Sequence, residues 1–299
     1  MTDSLYKLTS KISSEQTEFV DGYLFENAPS NWVLEINYIT GEGTLNGFFS
    51  SETEKVQEEQ GIIKEIGHLV DFAFSSCQVL AQDWAESYKH HFSPWGYKGV
   101  HFVPIWLKDT YKVPENETSV MLDPGMAFGT GVHESTRMCL EFLIENIESS
   151  AQFQESIIDL GCGSGILAIT SYLLGFKKVI GLDNDEDAVR ISKENALLNQ
   201  LNEQLSFDCM DLLNLDPPIE KFDCVVANIQ ADILTSCAWI INQHTHQRSK
   251  IILSGILSKE IQYVIEIFDK ELRENAKFEY HIKEMGEWSA VQFIKSSYN

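Results

Sequence analysis

The sequence predicts an α/β fold, in which a doubly wound, mostly parallel sheet ends in an antiparallel hairpin and follows a small α+β domain of ferredoxin-like order. Three observations carry this. Residues 121–299 alternate strand-length apolar runs with helical patterns, as parallel strands joined by crossover helices do. Within them, Ile157-Ile158-Asp159-Leu160 opens into Gly161-Cys162-Gly163-Ser164-Gly165, and the next apolar run, Val179-Ile180-Gly181-Leu182, ends in Asp183. Residues 1–80 hold four strand-like and two helix-like runs in the order βαββαβ.

Taken in chain order, Leu5 to Ile12 alternates like a strand. Ser13 can cap a helix reaching about Phe25, with Gln16 at the capping-box position. Trp32 to Ile39 and Thr44 to Phe49 read as short strands around the Gly41-Glu42-Gly43 turn. Ser51-x-x-Glu54 opens a second helix to about Ile66, and Cys77 to Ala81 reads as a last strand. Residues 81–120 are rich in aromatics, contain Pro94, Pro104 and Pro114, and read as a linker. Asp83 to His91 suits a helix there, and Tyr97 to Trp106 looks extended. Residues 121–299 then give strands at 155–160, 178–183, 205–209, 222–227 and 250–254. Helices are expected near 135–147, 164–174, 185–199, 231–242 and 257–269. Phe278 to Lys283 and Trp288 to Ile294 flank Met285-Gly286 as a hairpin.

The glycine-rich turn points to a nucleoside. Glycines let the backbone turn tightly and approach a ligand closely. Asp183 follows Gly161 by 22 residues, close to the roughly 20 that separate such a turn from a ribose-binding acid. The pattern G-C-G-S-G is not the G-x-G-x-x-G of dinucleotide enzymes, which brings helix amides to a pyrophosphate. A tight turn without a ligand, and Asp183 as the N-cap of the next helix, are the competing structural readings.

Composition narrows the partners. The chain has 299 residues, 45 acidic and 22 basic, a formal charge of −23. Arg137, Arg190, Arg248 and Arg273 are the only arginines and are scattered, so no basic stripe exists for a phosphate backbone. Such a surface repels free nucleic acid and attracts a basic partner. Residues 1–80 carry thirteen acidic residues against four lysines and no arginine, a net charge of −9. With no catalytic cluster of its own, that domain suits substrate recognition. Six cysteines without a C-x-x-C pair fit a reducing cytoplasm. No apolar run approaches the roughly 18 residues of a membrane span. The pairs His90-His91 and His244-x-His246 lack acidic or Cys residues at ligand spacing, so no metal site is expected.

D-L-G-C-G-S-G resembles the first motif of class I S-adenosylmethionine-dependent methyltransferases, a cofactor with no phosphate to cradle. Ahead of it, Leu122-Asp123-Pro124-Gly125-Met126-Ala127-Phe128-Gly129-Thr130-Gly131-Val132-His133-Glu134-Ser135-Thr136 resembles the L-D-P-G-x-A-F-G-T-G-x-H-x-x-T signature of the bacterial ribosomal protein L11 methyltransferase family (PrmA). Val132 and Glu134 depart from its commoner T-G-T-H-P-T-T form. Asp83-Trp84, Pro104-x-Trp106, Val225-Val226-Ala227-Asn228-Ile229, Leu253-Ser254-Gly255-Ile256-Leu257 and Glu287-Trp288 are similar to further family stretches. The resemblance covers about residues 80–299, and the N-terminal domain by size and pattern only. It implies a class I methyltransferase fold at 121–299 and cofactor contacts at Thr136, Gly161, Asp183 and Asn228. Thr130 of the same loop and Gly163 are expected beside them.

The residues themselves agree with that chemistry. Asp183 suits the ribose hydroxyls, and Gly161 and Gly163 let backbone pass against the cofactor. Asp211 is either an adenine contact or a plain turn residue. Thr136, in a helix's first turn, suits a carboxylate. Asn228 ends an apolar strand at the carboxyl edge of the sheet, where ligands of open α/β sheets bind. Its carbonyl can accept from an amine, so it is the candidate catalytic residue, as an amine positioner. Asn228-Ile229-Gln230-Ala231 lacks the aromatic of the N-P-P-Y motif, which argues against a flipped base and for a flexible lysine. His133 is the one candidate base near the loop; capping its helix is the alternative. The expectation is therefore a cytoplasmic protein-lysine methyltransferase acting on ribosomal protein L11, ε-amines and an α-amine included, without direct nucleic-acid or membrane binding. A related enzyme acting on another protein, such as an electron-transfer flavoprotein subunit, or a non-catalytic cofactor-binding regulator, are the alternatives.

Overall fold

The computed structural model describes residues 4–27, 31–37, 40–80, 93–123, 131, 133–149, 155–201, 204–214, 220–273 and 277–296. The chain divides into two compact units, residues 1–91 and 92–299.

The first unit runs β1 (Ser4–Ile12), α1 (Ser14–Asn27), β2 (Trp32–Ile36), β3 (Gly43–Phe49), α2 (Glu52–Ile66) and β4 (Ser75–Leu80). Its sheet has the order β2-β3-β1-β4, antiparallel throughout, which is the ferredoxin-like arrangement. The alternating residues Leu8 and Ile12 of β1 bury with Leu45 and Phe49 of β3 against Val20, Ile62 and Ile66 of the helices. Both helices start where the capping signals stand. The Ser51 hydroxyl accepts from the Glu54 amide at 3.2 Å, while the Glu54 carboxylate turns back to the Ser50 amide at 2.9 Å. At α1 the Ser13 hydroxyl donates instead to the Gln16 side chain at 3.2 Å.

The second unit opens with β5 (Trp95–Tyr97), β6 (Val100–Pro104) and β7 (Thr118–Leu122), a three-stranded sheet of its own. Residues 93–120 are thus more than the linker expected from their prolines and aromatics. Val100, Phe102, Val120 and Leu122 sink into the main core; β6 falls in the stretch expected to be extended, while β5 and β7 are too short for a clear period. The helix proposed for Asp83 to His91 lies outside the described residues.

The main sheet then follows: α3 (Glu134–Ser149), β8 (Ser156–Leu160), α4 (Ile166–Leu173), β9 (Lys178–Asp183), α5 (Glu186–Leu198), β10 (Leu205–Cys209), β11 (Phe222–Asn228), α6 (Ala231–Ser236), α7 (Ala238–Gln243), β12 (Thr245–Leu257), α8 (Ile261–Arg273), β13 (Lys277–Met285) and β14 (Trp288–Ser296). Strand order is β10-β9-β8-β11-β12-β14-β13. The first five strands are parallel, and β14 enters antiparallel beside β12 as half of the terminal hairpin. β8 and β11 lie in the middle, so Ile157, Ile158, Leu160 and Cys224 to Ala227 are almost fully buried on both faces. One core fills the face under α3, α4 and α5; the other lies under α6, α7 and α8.

Two helices differ from expectation for local reasons. The 231–242 helix breaks at Cys237, after the Thr235 and Ser236 hydroxyls bond back to the Ala231 and Asp232 carbonyls. The 257–269 helix starts later, at Ile261, because β12 runs on to Leu257, which pairs with Trp288.

Candidate active site

The stretches singled out in the sequence converge at the carboxyl ends of β8, β9, β11 and β12. Gly161 leaves β8 at φ +77°, a left-handed conformation that strains any residue with a Cβ. A Cβ there would also stand 2.4 Å from Ile229 Cγ2. Across the sheet Gly255, at φ +80°, lets β12 approach so closely that a Cβ would be 2.6 Å from the Ile229 carbonyl oxygen. The Ile229 amide donates to the Ser254 carbonyl at 3.1 Å. Ile229 therefore joins the glycine-rich turn, the A-N-I strand end and the S-G-I turn into one surface.

Asp183 holds the next corner. Its Oδ2 accepts from the Gly163 amide at 2.8 Å, and its Oδ1 from the Asp185 amide at 3.0 Å. The N-cap of α5 is Asp185, whose side chain accepts from the Asp187 amide at 2.9 Å, so the capping reading of Asp183 gives way to a loop-ordering one. A carboxylate has about four acceptor sites; these two bonds leave room for two hydroxyls. Asp211 caps the short 212–214 turn, accepting from the Leu213 amide at 3.0 Å and from Asn214 Nδ2 at 2.6 Å. Its turn role is thus occupied whatever else it touches.

Thr136 and Asn228 meet directly. Asn228 Nδ2 donates to Thr136 Oγ1 at 3.0 Å, with Thr136 fully buried and Asn228 8% exposed. The other end of the carboxamide, Asn228 Oδ1, is buried with no hydrogen-bond partner among the described residues. A buried carbonyl left unsatisfied costs about 1–3 kcal/mol, so this oxygen calls for an N–H donor. Ser254, opposite Asn228 in the β11–β12 register, donates to the Ser135 carbonyl at 3.0 Å and fixes the first turn of α3 against the sheet.

His133 lies just before α3. Its Nδ1 accepts from the Ser135 amide at 3.2 Å and stands 2.7 Å from the Ser135 hydroxyl, a helix-capping arrangement. Its ring meets Trp288 edge-on at 4.8 Å. Burial lowers its pKa, with the Glu134 charge opposing. A neutral imidazole with Nδ1 committed to the helix is a positioning group first. Thr130 lies outside the described residues, as do Val132 and Asp83-Trp84.

Sequence reasoning missed Asn195, a buried side chain on α5. Asn195 Nδ2 donates to the Ser164 carbonyl at 2.9 Å while its Oδ1 accepts from the Asp123 amide at 2.9 Å. One turn on, Asn199 exchanges bonds with the Met121 backbone in both directions, at 2.8 and 2.7 Å. The pair ties the end of β7 to the glycine-rich turn. The available signal was two asparagines at i and i+4 beside Ala188, Val189, Ser192 and Ala196, the buried stripe of α5.

The model of the family "Ribosomal protein L11 methyltransferase (PrmA)" matches residues 3–296. A ribosomal protein L11 methyltransferase of Caldicellulosiruptor bescii is 31% identical, over 96% of this chain and 97% of its own length. That of Aliivibrio salmonicida is 33% identical, over 99% and 94%. The crystal structure of a ribosomal protein L11 methylase from Lactobacillus delbrueckii subsp. bulgaricus matches with a TM-score of 0.58 at 27% identity, over 69% of this chain and 100% of that one.

Proposed function

The chain belongs to the ribosomal protein L11 methyltransferase (PrmA) family, and we propose that it methylates amine nitrogens of ribosomal protein L11, lysine ε-amines foremost, with S-adenosylmethionine as donor. The observation that carries the amine chemistry is Asn228 Oδ1, buried and unpartnered beside Thr136 at the carboxyl edge of the sheet. An oxygen so placed accepts from a nitrogen that carries protons, either the acceptor amine or the ammonium of the cofactor's amino-acid end.

The residues fit the cofactor. Asp183 has acceptor capacity for the ribose hydroxyls. Gly161 and Gly163 present backbone rather than side chains, and Thr136 retains its hydroxyl proton for a carboxylate. S-adenosylmethionine supplies an electrophilic methyl group on a positively charged sulfur. The protein's own task is to hold an amine in line and keep water away. A lysine amine has a solution pKa of about 10.4 and an α-amine about 7.8, and only the neutral form has a lone pair to attack. Asn228 is 8% exposed, and its neighbours Thr136 and Ser254 are fully buried. Burial there and a neighbouring positive charge both favour the neutral amine. The proton leaves before attack, so no dedicated base is needed, and His133 keeps its capping role.

The protein substrate is favoured over RNA by the charge of −23 and by the absence of an aromatic after Asn228-Ile229-Gln230. The acidic N-terminal unit is assigned to holding the basic substrate. Ribosomal protein methylation favours a cytoplasmic enzyme. No described helix is long and apolar enough to cross a membrane. The test is to add the protein and radiolabelled S-adenosylmethionine to a lysate of cells lacking it. Label on L11 is expected; label confined to another protein would replace L11 as the substrate, and no labelled protein would end the enzyme reading.

A further inference from the structure

Two further buried polar atoms, on Trp95 and on Arg137, are unsatisfied among the described residues. Arg137, on α3 directly after Thr136, stacks its guanidinium on the Trp95 indole, with Cζ 4.8 Å from the ring centre. Arg137 Nε and Trp95 Nε1 are both buried without a hydrogen-bond partner among the described residues. In a chain with 45 acidic residues this is unexpected, since a carboxylate is the ordinary neighbour of an arginine. The helical neighbour at i+4, Glu141, is taken by Lys283 at 2.7 Å, and Glu145 by Lys283 and Tyr97. Arg190, by contrast, has both Asp187 and Glu194. The indole also stacks on Phe102 at 4.3 Å, which holds the ring in place.

The location gives these donors meaning. A Cβ on Gly131 would stand 3.4 Å from Trp95 Nε1 and 2.7 Å from Cδ1 of Ile166, the first residue of α4 after Gly165. Gly131 thus lies between the indole N–H and the Ile166 side chain of α4, and Arg137 directly follows Thr136. Two N–H donors, one carrying full positive charge, are matched by an anion with oxygen acceptors.

We propose that Trp95 and Arg137 form a carboxylate-binding pair, which rests on the methyltransferase reading above. The cofactor's amino-acid carboxylate and a carboxylate of the protein substrate share this chemistry. The place of Arg137 directly after Thr136 favours the cofactor.

Calorimetric titration of the full-length protein distinguishes the sources. S-adenosylhomocysteine carries the carboxylate, and 5′-methylthioadenosine has the same nucleoside without the amino-acid end. Arg137→Met should weaken S-adenosylhomocysteine binding roughly 10- to 100-fold, the range of a charge-assisted hydrogen bond, and leave methylthioadenosine within about twofold. Trp95→Phe keeps the ring and should cost S-adenosylhomocysteine a smaller factor. Arg137→Lys, which keeps the charge, should recover part of the loss. Unchanged affinity for both nucleosides with a raised KM for L11 and unchanged kcat would assign the carboxylate to the substrate and keep the pair. Equal losses for both nucleosides, or no change in either affinity or KM, would overturn it. Wild-type protein that binds both nucleosides but labels no L11 would refute the proposed substrate and leave the nucleoside comparison standing.

Discussion

Asp159 of β8, which leads into the glycine-rich turn, gives the protein a specific pH dependence. It is fully buried and neither oxygen has a hydrogen-bond partner of standard geometry. Burial pushes its pKa up to about 8; the Ala168 amide opposes this, and the charge of Asp183 adds to it. The native state thus keeps a proton that the unfolded chain releases near about 3.9. Stability from this group is complete below the unfolded value, declines as pH rises between the two, and is gone above about 8. Within that window each pH unit costs about 1.4 kcal/mol. Asp159→Asn removes the titration while keeping shape. Between pH 5 and pH 7 wild type should lose roughly 2–3 kcal/mol more than the variant. The absolute stability of the variant also reflects the new amide, so the difference in slope is the quantity to read. Urea unfolding of both proteins at pH 5, 6 and 7, followed through the transition of the second unit, measures it. Parallel stability curves would refute a neutral Asp159 in the native state.

Three further outcomes are expected. Asp183→Ala should weaken S-adenosylhomocysteine binding by roughly 1–3 kcal/mol, through lost ribose contacts and a released Gly163 amide; wild-type affinity in a calorimetric titration would leave Asp183 a loop-ordering role only. Asn228→Ala should lower turnover far more than thermal stability, and Asn228→Asp, which still accepts from an amine, should keep part of the rate; equal losses of rate and stability in both would make Asn228 a packing residue. Removing residues 1–91 should spare nucleoside binding, since every cofactor stretch and Trp95 lie in the second unit, and abolish methylation of intact L11; full activity of the truncated enzyme on L11 would remove the recognition role from the first unit.

The architecture was legible because each part carries a local signal. Parallel strands buried on both faces read as unbroken apolar runs, as at Cys224 to Ala227, and the capping serines mark where α1 and α2 begin. Asn228 and Asp183 could be placed at strand ends from the same runs. Less legible were features that depend on distant partners. β7 is recognisable only beside β6, and the bonds of Asn195 to Ser164 and Asp123 join segments far apart in sequence. The break at Cys237 was hidden inside a pattern that is helical on both sides. Asp183 read as a possible cap because Asn184, Asp185 and Glu186 follow it; only the geometry assigns the cap to Asp185 and the glycine-rich turn to Asp183. Similarly, nothing local tells that Arg137 lacks a carboxylate among the described residues, because its would-be partner Glu141 is claimed by Lys283, 142 residues away.

The central claim is that a basic protein, and not RNA, receives the methyl group. The most direct measurement incubates the enzyme and radiolabelled S-adenosylmethionine with purified L11 and with ribosomal RNA side by side over a salt series. The account predicts label in L11 alone, at a rate that falls as salt screens the attraction of a chain of charge −23 for its basic substrate. Label in the RNA and none in the protein would contradict it.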